Sequence, residues 1–205
     1  MRRRKFLRML VGVEINPVIR ALIASDILIL SAFGLLAPIF AVFLLEDIQG
    51  GSAEVVGFAA MIWLFSRAIF QIPTAIFIDR RTGERDDFWI NFGGSVGMSL
   101  IPLAYLFASL PIHIYLIQAV FGFFHALTFP SWKAIFTRHI DPHREGLEWA
   151  VFDTTTDLGT AITAATGGVI AVTLGFRALF IFVSLFSFLG TLLLLRIYPL
   201  MREET

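Results

Sequence analysis

The chain has 205 residues, 57% of them hydrophobic, with 22 Phe and no Cys, and its 16 Lys and Arg balance 16 Asp and Glu to a formal net charge of zero. That apolar content, with a mean hydropathy of +0.80, exceeds what a soluble core of this length can bury and marks a membrane protein. Without Cys there is no disulfide, thiol chemistry or cysteine metal site to consider.

The chain opens on Arg2, Arg3, Arg4, Lys5 and Arg8. This imitates a signal peptide, but the apolar run that follows is too long for one, so residues 1–17 are expected to stay as a basic cytoplasmic segment. Residues 1–13 equally suit a short amphipathic helix on anionic headgroups. Six apolar runs then follow at 18–45, 52–78, 88–109, 112–137, 147–172 and 176–196, each long enough to cross a bilayer. They are continuous rather than alternating, which predicts helices and not barrel strands.

Turn signals punctuate these runs. Asn16-Pro17 reads as an N-cap with Pro at the first helical position, Gly50-Gly51 and Leu174-Gly175 break the chain, and Asp141-Pro142 interrupts it between the fourth and fifth spans. The connections are too short for a second folded domain. The reading is an all-α polytopic protein with a six-helix bundle over 18–198 and a short tail over 199–205. Arg80, Arg81, Arg85, Arg138, Arg144, Arg196 and Arg202 fall on the side of the basic N-terminus, and Arg177 alone falls opposite. Both termini are therefore expected in the cytoplasm, with the bilayer a plasma (inner) membrane.

Charged side chains penetrate only the first, second, fourth and fifth spans, and an ion in hydrocarbon costs at least ~2.5 kcal/mol on insertion scales. Those four helices should line something, leaving the third and sixth to face lipid. At 100° per residue, Gln118, Gly122, His125, Phe129 and Lys133 share a sector of about 80° on the fourth span. Asp153, Thr156, Asp157 and Thr160 cluster on the fifth, Arg67, Gln71 and Thr74 on the second, and Asp26 stands beside Ser25 on the first. Arg67 is expected to pair with Asp157 or Asp26, which lie at similar depth. Plainer roles compete with these: Asp153 suits a helix N-terminus, Lys133 can snorkel, and His125 can be a packed histidine.

The stretch Ala75-Ile76-Phe77-Ile78-Asp79-Arg80-Arg81-Thr82-Gly83-Glu84-Arg85 resembles the Gly-x-x-x-Asp-Arg-x-Gly-Arg loop signature of the major facilitator superfamily, with Ala for the leading Gly and one extra residue before Gly83. The region from Gln118 through Gly122 to Pro130, the segment 141–146, Gly167-Gly168 and Gly175-Phe176-Arg177 are similar, in order and spacing, to the rest of one six-helix half of that twelve-helix fold. Gln118 stands where many members have Arg, and the segment 163–168 lacks the Gly-Pro of the drug/proton antiporters. The resemblance implies that the first and fourth helices line a cavity, the second and fifth join the two halves, and the third and sixth are peripheral.

It further implies a secondary active transporter of a small solute, an organic ion or amphipathic molecule, working by alternating access. A parallel homodimer would supply the second half. On this reading Asp26 and Asp157 serve proton coupling, because a charge in apolar surroundings is costly. Arg67, Gln71, Gln118, His125 and Lys133 contact substrate in the cavity, and Asp79, Arg80, Gly83 and Arg85 form a cytoplasmic gate against the fifth helix of the neighbouring half. The alternative is a non-transporting membrane module, or a half that acts only with a different partner. The chain has no His-Glu-x-x-His, Gly-x-Ser-x-Gly or Walker pattern. It is expected to be no enzyme, to need no cofactor or metal, and to bind no nucleic acid.

Overall fold

The computed structural model describes residues 15–80 and 83–201. The basic residues from Arg2 to Arg8, Arg81, and the tail with Arg202 lie outside them. Among the described residues there are helices and no strands. They are α1 (Pro17–Leu36), α2 (Phe40–Glu46), α3 (Ala53–Asp79), α4 (Glu84–Tyr105), α5 (Pro111–His139) and α6 (Glu145–Leu193), followed by two 3₁₀ turns, Leu194–Arg196 and Tyr198–Leu200. Four stretches, Pro17–Glu46, Ala53–Asp79, Pro111–His139 and Glu145–Leu200, are long and apolar enough to cross a membrane.

Local chemistry sets the ends. The Asn16 side chain accepts the Val18 amide at 2.9 Å, with Pro17 at the first position of α1. Ser52 caps α3 by accepting from Val55. A straight helix of the 49 residues assigned to α6 would run about 74 Å, more than twice a hydrocarbon core of ~30 Å. Gly175, at φ 80° and ψ 164°, breaks it, in a region of backbone space that side-chain-bearing residues avoid. The two segments run in opposite directions along α1. Gly159 and Gly167 pack beside Ser31 and Leu35 in turn, whereas after the break Gly190 comes back to Leu28 and Ile29.

α1 packs mainly along α6, α3 along α5, and α4 bridges α5 and α6. Close approach and hydroxyl hydrogen bonds hold these contacts, as expected where lipid removes the hydrophobic drive between helices. Ser66 Oγ donates to the Ala119 carbonyl at 2.6 Å and Ser25 Oγ to that of Gly190 at 2.7 Å. Gly167 is the tightest crossing, since a Cβ there would run into the Leu35 backbone. Gly167→Ala is therefore expected to part α1 from α6 and cost roughly 1–3 kcal/mol, read as a lowered melting temperature in detergent. Gly57→Ala, which meets open space, should change little.

Aromatic clusters close both ends of the bundle. At one end Phe43, Tyr105 and Phe180 meet, with Phe43 and Phe180 rings 4.8 Å apart. At the other, Trp132, Phe136, Trp149 and Phe152 interlock, with Phe136 and Trp149 at 4.5 Å. The third predicted span departs from its expected lipid-facing role. α4 turns Trp89 and Leu100 outward but buries Asn91, Ser95 and Ser99. Ser99 Oγ meets Thr191 Oγ1 at 3.1 Å, and Ser184 Oγ donates to the Ser99 carbonyl at 2.7 Å. Uncharged hydroxyls, whose bonds can be met inside a bundle, tie together the third and sixth spans, which carry no charge in their interiors.

Candidate functional site

Between the aromatic clusters lies a cavity of about 340 Å³. α1 contributes Asp26, Ile29 and Leu30; α5 contributes His125, Thr128, Phe129, Trp132 and Lys133; α4 adds Ser95 and Met98, and α6 adds Trp149 and Phe152. Each set follows the i, i+3, i+4, i+7 rule that puts side chains on one helix face. A second chamber, also about 340 Å³, shares Leu30, Met98 and His125 with the first and extends to Trp63, Tyr105, Gln118 and Phe121. Asp26, Gln118, His125 and Lys133, four of the residues expected to converge, thus line two adjoining half-open clefts, with Lys133 at an exposed position.

The cationic side of the site is organised by aromatic faces. Phe129 has the Arg67 guanidinium 4.6 Å from its ring centroid and Lys133 Nζ at 4.4 Å, contacts worth about 0.5–2 kcal/mol each. Arg67 also lies 5.7 Å from the Trp63 ring and donates from Nε to Gln71 Oε1 at 3.1 Å. The expected pairing of Arg67 with Asp157 or Asp26 is not found: among the described residues those three make no ion pair. The physical reason is local, because Gln71 one turn away and two aromatic rings already occupy the guanidinium. His125 stands edge-on to Trp63 at 5.6 Å, and its Nδ1 is buried with no hydrogen-bond partner.

Asp157 lies apart from this space. It is exposed on α6 and lines neither chamber, while Asp26 is half-buried against the first. Arg67 also lines neither chamber and adjoins the first through Phe129, and Gln71, half-buried on α3, adjoins it through Arg67. Ser25, next to Asp26, points the other way to bond Gly190.

The expected gate residues sit at the end of the bundle where α3, α5 and the second segment of α6 finish. Asp79 is the exposed last residue of α3, Arg80 is its C-cap, and Gly83 is the buried N-cap of α4. Arg85 lays its guanidinium 5.3 Å from the Tyr198 ring, tying the α3–α4 connection to the final turn. Sequence reasoning missed the strongest polar contact here. Asp87, fully buried, forms an ion pair with Arg138 at the end of α5, beside His139 Nε2 and Glu84 Oε2 at 3.8 Å. Burial pushes the Asp87 carboxyl above its ordinary range, and the Arg138 hydrogen bond and charge pull it back. Buried Glu148 likewise turns inward, accepting the Asp141 amide at 3.4 Å. The only signal for either acid was its place in the first turn of a helix.

A family model described as Major Facilitator Superfamily matches residues 22–205. Among solved structures, the in meso crystal structure of the POT family transporter PepTSo is similar in fold, with a TM-score of 0.74 at 15% identity. The match covers 94% of this chain and 39% of that one, so the chain spans about two fifths of that transporter's length. None of the curated proteins matches.

Proposed function

Because this chain belongs to the major facilitator superfamily, we propose that it forms one six-crossing half of a secondary transporter for a small organic ion. The observation that supports this reading is the cleft that Asp26, His125 and Lys133 line on two helical stretches long and apolar enough to cross a membrane, since ionisable groups within such spans mark solute or proton pathways. The six crossings are α1 with α2, then α3, α4, α5 and the two segments of α6. Pro17 and Leu200 line one groove at the same end of the bundle, which suits both ends on the cytoplasmic side of an inner membrane.

The second half is a parallel copy, related by an axis along the membrane normal as in other transporters with parallel repeats. Asp26 takes and releases the coupling proton, Lys133 and Arg67 attract the anionic part of the solute, and Gln118 and His125 orient it. Asp157 and Gln71, set outside the chambers, face the partner half. Closing the cytoplasmic side brings Asp79 to the start of the neighbour's α6. There Leu147 and Glu148 both donate to the Arg144 carbonyl, which leaves the Glu145 and Gly146 amides to meet an anion.

A cysteine pair tests the arrangement in a chain that has none of its own. In native membranes Asp79→Cys with Gly146→Cys should give an oxidant-dependent band of twice the chain mass. A band of the single chain alone, or of a different partner's mass, would defeat the parallel homodimer.

A further inference from the structure

Away from the cavity, two adjoining pockets lie between α1 and the second segment of α6. Where α1 begins and the chain's last turns end, Arg20, Ala24, Leu193 and Arg196 border a pocket of about 310 Å³. Among the described residues no carboxylate lines it and neither arginine makes an ion pair. Deeper along the same helices lies an apolar groove of about 470 Å³, walled by Leu28, Leu35, Phe182 and Phe186.

These are two parts of one surface. Arg20, Ala24, Leu28, Ser31 and Leu35 fall within about 80° of each other on α1, and Phe182, Phe186 and Leu193 within about 40° on α6. The tight Ser25–Gly190 crossing, 2.7 Å from Oγ to carbonyl oxygen, lies about 60° round α1 and about 40° round α6 from the nearer edge of those stripes, on the side where the two helices meet. From Arg20 to Ser31 the rise is about 16 Å, roughly one leaflet of a ~30 Å hydrocarbon core. The charged pocket therefore sits at headgroup level, and the apolar groove runs inward at acyl-chain level. The Thr163 and Thr166 hydroxyls at its deep end are already bonded to their own helix, at 3.0 and 2.9 Å, so among the described residues Ser31 Oγ is the one side-chain polar atom lining the groove without a partner, and the rest of the wall is apolar.

We propose that this surface binds an anionic phospholipid, its phosphodiester held between Arg20 and Arg196 and one acyl chain laid along the α1–α6 groove. The positive end of α1 adds to the attraction. A free phosphate shares the headgroup chemistry but has no use for the groove, so the commitment is to the lipid. The site does not depend on the transport reading.

Native mass spectrometry of the full chain in detergent tests it, with dioleoylphosphatidylglycerol, dioleoylphosphatidylcholine and glycerol 1-phosphate as probes. Phosphatidylglycerol is expected to bind at least about tenfold more tightly than phosphatidylcholine. That preference should vanish in Arg20→Gln/Arg196→Gln and survive in Arg80→Gln. Both arginines are exposed, and each single variant, losing part of the preference, repeats the test if the double variant does not purify. A preference retained by these variants, no preference at all, or displacement of the lipid by equimolar glycerol 1-phosphate would overturn the proposal.

Discussion

Asp26→Asn is expected to abolish proton-driven accumulation of solute in proteoliposomes while leaving the folded protein intact. Asp26 lines the main cavity beside Ile29, Leu30 and Trp132, and among the described residues no cation pairs with it. A carboxylate without a fixed partner can lose its charge to a proton and regain it when the cavity reopens. Asparagine keeps the shape and the hydrogen-bonding capacity but cannot carry the proton. A proton that enters with a singly charged anion moves no net charge, so the pH gradient drives uptake: about 1.5 pH units are worth ~2 kcal/mol, enough for an accumulation of roughly 30-fold. In the variant the internal and external solute should equalise, with exchange of solute down its gradient preserved. Undiminished accumulation by Asp26→Asn would remove Asp26 from the coupling.

The second large effect concerns stability. Arg138→Met should destabilise the fold by about 2 kcal/mol, because it strands the fully buried Asp87 carboxylate. Breaking a wholly buried pair costs roughly 3–5 kcal/mol. The lower figure applies because Arg138 remains 37% exposed and water screens it. The sign with pH follows from the raised carboxyl of Asp87. In the variant the folded state holds this proton at pH values where the unfolded chain has released it. The deficit is therefore small near pH 4 and grows as pH rises through the folded-state value. Thermal unfolding in detergent from pH 4 to 8 measures it, and Asp87→Asn placed in the same variant should restore most of the loss. A pH-independent deficit, or no rescue by Asn, would show that Arg138 acts through its aliphatic packing instead.

What the sequence disclosed and what it hid differ in range. Asn16-Pro17, Gly50 and Gly175 were legible as breaks because turn chemistry acts within a few residues, and the structure has an N-cap at the first and positive φ at the other two. His125 and Lys133 were legible as one face because helical periodicity is local too. Partner choice is not. Arg67 had two carboxylates within reach by depth, yet Gln71, four residues on, takes its Nε. The Asp87–Arg138 pair spans 51 positions, and each member, near a water-facing end, had an adequate explanation as a first-turn acid or a topology signal. Ser99 and Thr191 gave no sign at all, since a hydroxyl in an apolar helix can equally bond its own backbone, as Ser187 does with Val183 at 2.6 Å.

Access to the cavity wall from both membrane sides is the most direct test of the central claim. With no native Cys in the chain, His125→Cys carries the only thiol, at the wall shared by both chambers. A membrane-impermeant maleimide applied to right-side-out and inside-out vesicles should label it from either side, as alternating access requires. Labelling from one side only, or from neither, would contradict a transport pathway through this bundle.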